Sequence, residues 1–357
     1  MKSKRWIVWI LVGLLIAFIA WKLRGAHFNW AVFKAQLAHA DKKTLLIATG
    51  CIYVGYMLRA WRWAIFLKPT KSVSPWSVLG PQVIGFTAVA LLGRLADLVR
   101  PYLVARRASL PLESQVAVYA VERMFDLGAV GLVFSGVLFL TPGHASLPHY
   151  ELFKRAAAAG LLGMAAIAIF TLAVRFAGNA VAAVTTRLLN PLSPRLGTQA
   201  GEKIRIFRGG LNVFQSMADA AAATLISLLM WGLIAAAYWL TMRAFVESPV
   251  LAHITLSQCM LLMAASIGGS LIQLPIVGWF TQIAVTSATM EALFGVAWEP
   301  ALGCGAMLLV VTFLSIVPVG LLWAQIEHVS LRDVAEQSEQ AVEHVEHMEH
   351  GQHQPEA

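Results

Sequence analysis

The chain has 357 residues, of which 58% are hydrophobic and only 13% charged, whereas a soluble domain averages about 25% charged residues. A water-soluble enzyme is thereby excluded and a polytopic membrane protein expected. The net charge of +8 is unevenly spread: residues 1–326 carry 26 Lys/Arg against 11 Asp/Glu, net +15, and residues 327–357 carry one Arg against eight Asp/Glu, net −7.

Apolar spans are predicted at Trp6–Leu23, Thr44–Leu67, Trp76–Val104, Leu112–Leu140, Arg155–Phe176, Ala221–Phe245, Thr255–Leu293 and Ala301–Ile326. Most approach the ~20 residues a helix needs to cross the hydrocarbon core. The first follows Lys2, Lys4 and Arg5 as a signal peptide would, but no small-residue cleavage site follows it. Trp21, Lys22 and Arg24 read as an interfacial anchor, so a retained helix is expected. Arg59 and Arg62, in GYMLRAWRW, read as interfacial too, with Trp61 and Trp63 as belt aromatics.

The third and seventh spans are interrupted by glycine, proline and small polar residues. The breaks are Gly80, Pro81, Gly85 and Gly93 in one and Gly268, Gly269, Pro275 and Gly278 in the other. Each reads as a re-entrant helical hairpin, and IGFTAVALLG from Ile84 faintly resembles IGGSLIQLP from Ile267. Three full crossings lie between them, so the second hairpin would enter from the opposite face. Broken helices related by an inverted repeat build midplane sites in transporters. The expected fold is therefore an all-α polytopic membrane protein with about six full crossings and two re-entrant hairpins in an inverted repeat.

With a cytoplasmic N-terminus this topology places 16 Lys/Arg in cytoplasmic segments against eight outside, in keeping with the positive-inside rule. Lys22, Arg24, Lys34, Lys42 and Lys43 run against it. The expected location is the plasma membrane, the inner membrane of a bacterium, with both termini cytoplasmic. Residues 177–220 form the main non-membrane connection, where Ile204, Phe207, Leu211 and Phe214 share a helical face beside Lys203, Arg205 and Arg208, the pattern of an interfacial amphipathic helix. Residues 1–326 make the membrane domain and 327–357 an acidic, His-rich cytoplasmic tail expected to be disordered. His344, His347, His350 and His353 recur at three-residue spacing there, read as a solvated extension rather than a metal site. Cys51, Cys259 and Cys304 all lie in apolar segments and suggest neither disulfide nor metal.

The densest signal is residues 76–126, where Arg94, Asp97, Arg100, Arg106, Arg107, Glu122, Arg123 and Asp126 stand among membrane-grade side chains. A charge at the bilayer centre costs at least about 2.5 to 3.5 kcal/mol, so these groups must pair, face water or meet a polar ligand. Glu122 and Asp126 share a face, and Arg123 and Asp126 are three apart and can touch. Either this is a polar face toward a substrate cavity, or it is an ion-pair lock to Arg94 or Arg100. Arginine's planar fork suits phosphate, which makes a phosphate-bearing amphiphile the natural ligand. Arg106 and Arg107 read as snorkelling anchors.

The run GRLADLVRPYLVARRASLPLESQVAVYAVERMFD resembles the signature of the flippase-like transmembrane family named after the membrane region of lysylphosphatidylglycerol synthases, with Gly93, Asp97, Arg100, Glu122, Arg123 and Asp126 on its motif positions. The resemblance covers nearly the whole chain and implies a lipid-translocating domain. It implies no aminoacyl-transferase module, since only 31 residues follow Ile326. The family's second hairpin carries Pro-Gly-Gly-Leu-Gly and then Glu. Here LPIVGWFTQ keeps Pro275 and Gly278 but puts Gln282 where the acid is expected, which favours a polar contact over proton coupling.

The expected function is thus translocation of an anionic phospholipid, glycolipid or polyprenyl-phosphate lipid between leaflets, without enzymatic activity or cofactor. Arg94 and Arg100 would hold the headgroup, with Asp97, Glu122, Arg123, Asp126 and Gln282 completing the path. No P-loop is present to hydrolyse ATP. A noncatalytic partner of a lipid-modifying enzyme, and a membrane-embedded glycosyltransferase, are the alternatives; the largest loop offers the latter only Glu202 and Asp219. Expected partners are membrane lipids with phosphate headgroups, with a lipid-synthesising enzyme and a second copy of the chain left open and no nucleic acid.

Overall fold

The computed structural model describes residues 28–140, 150–191, 193–194, 197–201, 204, 216–269, 277–337 and 340. The first predicted span, most of the proposed amphipathic helix and the four tail histidines lie outside these residues. Among the described residues every regular element is helical: α1 Trp30–His39, α2 Lys42–Leu67, α3 Pro75–Leu92, α4 Val99–Ala108, α5 Leu112–Leu140, α6 Tyr150–Leu189, α7 Met217–Arg243, α8 Leu256–Gly269, α9 Val277–Phe294, α10 Trp298–Leu309 and α11 Ile316–Ile326. Lys42–Leu67, Pro75–Leu92, Met217–Arg243 and Trp298–Ile326 are long and apolar enough to cross a membrane. The chain is a polytopic all-α protein.

Local chemistry fixes many helix ends. Asn29 caps α1 by accepting from the Ala31 and Val32 amides at 3.0 and 3.1 Å. Asp41 caps α2 through the Lys43 amide and the Thr44 hydroxyl, and that hydroxyl holds its carboxyl below the usual carboxylate range. Thr255 and Gln258 form a reciprocal capping box at the start of α8. The helix α6 kinks at Ala177, where φ is −127°; the predicted span ends one residue earlier. Between α10 and α11 the chain makes a π turn over Val310–Leu314, closed by the Ser315 amide on the Val310 carbonyl at 2.7 Å.

Two compact units share the helices α2, α3, α7 and α11. The unit formed by Met1–Ile52, Val89–Arg94 and Ile234–Val317 contains α1, α8, α9 and α10. In it α9 packs on both α8 and α10, and α10 on α1. The Ser287 hydroxyl lies 3.1 Å from the Ala301 carbonyl, linking α9 to α10. Near the broken end of α3, the Ala90 carbonyl accepts from the Trp279 indole of α9 at 3.1 Å.

The unit formed by Tyr53–Ala88, Leu95–Leu233 and Pro318–Ala357 contains α4, α5 and α6. Its core includes Trp63, Phe66, Leu67, Val78, Val104, Val118 and Val121. The helix α4 folds back along α3: Lys71 Nζ donates to the Ala108 carbonyl at 2.8 Å, and Arg100 NH1 donates to Gln82 Oε1 at 3.1 Å. The end of α4 therefore lies beside the start of α3. Residues 331–337 of the tail are helical, and the Tyr102 hydroxyl of α4 donates to Gln337 Oε1 at 3.2 Å.

The hairpin-break residues behave differently from one another. Gly93 makes the first break, with φ of 72°, at the start of a 3-10 turn Gly93–Ala96. Gly85 does not break a helix. It lies inside α3, where an added Cβ would stand 2.1 Å from Arg100 Cγ, so the missing side chain is what admits Arg100. Pro81 is also inside α3. Gly268 and Gly269 are the last described residues of α8 and Gly278 is the second of α9; the residues between them, Pro275 included, fall outside the described residues.

Candidate functional site

The site belongs to the second of these units, and its acids sit on α5. Gln115, Tyr119, Glu122 and Asp126 recur at helical spacing and form one inward stripe. Glu122 is fully buried and Asp126 is 5% exposed. Arg59 and Arg62, one turn apart on α2, reach them from that helix: Arg62 NH2 is 3.0 Å from Glu122 Oε1 and 2.8 Å from Asp126 Oδ1, while Arg59 NH1 is 3.8 Å and 3.5 Å from the same two carboxylates. Arg100 reaches Glu122 Oε2 at 3.0 Å from α4. Arg123 NH2 lies 3.6 Å from Glu122 and 3.2 Å from Asp126.

Neutral groups complete the frame. Arg62 NH1 donates to the Ser227 hydroxyl at 2.7 Å, and the Trp231 indole to Asp126 Oδ1 at 3.4 Å, tying in α7. Trp63 Nε1 donates to Gln115 Oε1 at 3.1 Å. Aromatic rings stand beside the like charges. The Phe86 ring centroid is 5.0 Å from the guanidinium of Arg59 and 4.3 Å from that of Arg100, and the Tyr119 ring lies 5.0 Å from each of Arg100 and Arg123. Each such contact contributes roughly 0.5 to 2 kcal/mol and lets arginines gather that would otherwise repel.

The cluster contains four arginines and two carboxylates. Asp97, half-buried before α4, acts electrostatically on Arg123, and counting it the balance is still positive. Arg62 Nε, Gln82 Nε2, Arg123 Nε and Arg123 NH2 are buried donors with no hydrogen-bond acceptor among the described residues. Arg123 NH2 is thus within ion-pair range of both acids without aiming a proton at either. A hydrogen bond to a buried donor matters by about 1 to 3 kcal/mol, so these groups favour an incoming acceptor. Only the Arg123 side chain opens widely, at 43% exposed against 12% for Arg59, 2% for Arg100 and none for Arg62. The arrangement can receive an oxyanion from the Arg123 side.

Of the residues expected from sequence, Asp97, Arg100, Glu122, Arg123 and Asp126 come together. Arg94 is on the 3-10 turn before α4. Gln282 lies in the other unit, where its Nε2 donates to the Ser266 hydroxyl at 3.2 Å, itself 3.1 Å from the Tyr238 hydroxyl. Arg106 and Arg107 are exposed near the end of α4. The interfacial reading of Arg62 and Trp63 is corrected: both are fully or almost fully buried, and only Trp61 faces outward, at 56% exposed. Arg59 and Arg62 are functional candidates that the sequence reading set aside, although two cations inside an apolar helix raise the same demand for partners as Arg94 and Arg100.

The family model of the lysylphosphatidylglycerol synthase TM region matches residues 6–323. No curated protein and no solved structure matches the chain.

Proposed function

Because the chain belongs to the family of the lysylphosphatidylglycerol synthase TM region, a lipid-associated membrane domain, we propose that it moves an anionic lipid between leaflets, with the headgroup phosphate meeting the arginine cluster. The observation that carries this reading is the imbalance of the cluster: four arginines converge on two buried carboxylates, and buried donors stay without acceptors. A purely structural lock gains nothing from surplus cations, since uncompensated buried charge is strongly unfavourable. A site that is filled and emptied by a phosphate requires them.

In this reading α3 with α4, and α8 with α9, are two re-entrant hairpins of an inverted repeat, set among about six full crossings. The return of α4 to the start of α3 and the approach of Trp279 to Ala90 near the break at Gly93 support it. The chain sits in the plasma membrane with both termini cytoplasmic, and it performs no chemistry on the lipid. Arg123 rather than Arg100 makes the headgroup contact, because Arg100 is enclosed by Glu122, Gln82 and aromatic rings. Proteoliposomes bearing fluorescent phosphatidylglycerol in both leaflets test the reading. Wild-type protein should let a membrane-impermeant quencher reach the inner-leaflet lipid in time, where protein-free vesicles leave about half protected; protection equal to protein-free vesicles would refute it.

A further inference from the structure

The chain after α11 lies beyond the residues that the family model matches, yet its first part carries structure of its own. His328 takes the left-handed conformation, φ 51°, and ends α11 in a Schellman turn. Its amide donates to the Gln325 carbonyl at 3.2 Å, and the Val329 amide to the Ala324 carbonyl at 2.8 Å. Ser330 then caps the helix over 331–337, accepting from the Asp333 amide on its hydroxyl at 3.4 Å and from the Val334 amide on its carbonyl at 3.0 Å. On that helix Val334 and Ala335 are buried, whereas Arg332, Asp333, Glu336 and Gln337 are exposed, so an apolar side is turned to the protein. The bond from the Tyr102 hydroxyl to Gln337 identifies α4 as a surface it lies on. The end of α11 lies on α3: the Trp323 indole donates to Glu327 Oε1 at 3.2 Å, and these two groups stand 2.7 and 2.6 Å from where a Gly80 Cβ would be. The segment from Trp323 to Gln337 therefore touches both α3 and α4. What holds α4 there also holds Arg100, two residues before Tyr102, against Glu122.

We propose that this C-terminal segment is an intramolecular clasp that binds α4 to α3, seated by Val334 and Ala335, with the acidic chain after Gln337 drawn to Arg106. The charges are complementary: residues 338–357 contain five Glu and neither Lys nor Arg, and Arg106 is exposed. The places agree as well. Arg106 follows Tyr102 by four residues on α4, on the same face and about 6 Å along the helix. Glu339 follows Gln337 by two residues, and each residue spans up to about 3.6 Å, so the acid reaches that far. Arg107 follows Tyr102 by five residues and turns to another side of α4. Anchoring in a bilayer would use the two arginines alike, whereas a clasp seated at Tyr102 distinguishes them. An exposed ion pair is weak, so the apolar seat carries the docking and Arg106 biases it.

The test is the reaction of single cysteines with an impermeant thiol reagent, in full-length protein lacking Cys51, Cys259 and Cys304 and held in neutral detergent, where no anionic bilayer competes. Val334→Cys should react at least about tenfold more slowly than Asp333→Cys, its exposed neighbour. Adding Arg106→Glu should speed the reaction of Val334→Cys by at least about threefold, and adding Arg107→Glu should leave it unchanged. Joining Glu339→Arg to Arg106→Glu exchanges the signs and should restore part of the protection. The protection should also be the same in protein diluted about tenfold, since the seat is on the same chain. Equal reactivity of Val334→Cys and Asp333→Cys, or equal responses to Arg106→Glu and Arg107→Glu, overturns the clasp. Protection found only in phosphatidylglycerol vesicles would assign the seat to the bilayer, and protection lost on dilution would assign it to a second copy of the chain; either overturns it too.

Discussion

Glu122 is the residue on which the arginines converge, and its burial makes it the least replaceable side chain of the cluster. Glu122→Gln keeps the shape and removes the charge that offsets Arg62 and Arg100, both nearly or wholly buried. Removing one partner of a buried ion pair costs about 3 to 5 kcal/mol, so thermal melting of this variant in detergent should drop by many degrees. Adding Arg100→Gln to Glu122→Gln should cost less than the two single changes together, by about 0.5 to 3 kcal/mol, since the second removes a charge the first left uncompensated. Additive losses would contradict direct coupling. Arg123→Gln, at the open edge, should change stability little. The acids were legible in the sequence because Glu122 and Asp126 fall four apart on a helix that has no other reason to carry them. Arg59 and Arg62 were not, since flanking tryptophans made an interfacial anchor equally consistent. The helix α2 is apolar around most of its circumference, so periodicity does not say that Trp63 turns inward while Trp61 turns outward.

At the scale of elements, the contact of α3 with α4 depends on Gly85. A methyl there would meet Arg100 Cγ at 2.1 Å and its Cα at 3.1 Å, so side chain and backbone would both have to move. Gly85→Ala should therefore destabilise by about 1 to 3 kcal/mol, as overpacking does. Gly50, in α2, has nothing within 4 Å of its would-be Cβ. Gly50→Ala should be neutral or stabilising by up to about 1 kcal/mol through helix propensity. Comparing the two melting temperatures checks both; equal effects would mean that Gly85 is not a packing glycine. The long helices could be read from hydropathy, and α5 begins at the residue expected, Leu112. The helix α1 was missed because Lys34, Gln36 and His39 keep it from reading as a span, although Asn29 supplied a capping signal. Gly85 was misread because a glycine in an apolar run looks the same whether it breaks a helix or lets another side chain in.

Two tests, one topological and one functional, bear on the whole molecule. If α3 and α4 form a re-entrant hairpin, cysteines placed at Lys71 and Arg107 in a background lacking Cys51, Cys259 and Cys304 should both react with an impermeant thiol reagent from the cytoplasmic face. Labelling from opposite faces would make the pair a full crossing. Neither the sidedness nor the meeting of five helices at one buried cluster is written in any single segment, because both arise from packing between residues far apart in the chain. The most direct measurement is the initial rate of phosphatidylglycerol translocation in proteoliposomes reconstituted with wild type, Arg123→Gln or Arg107→Gln at equal protein density. Wild type and Arg107→Gln should move the lipid at similar rates, and Arg123→Gln should be slower by at least about tenfold, a change of ~1.4 kcal/mol in the barrier. Equal rates for all three folded proteins would contradict it.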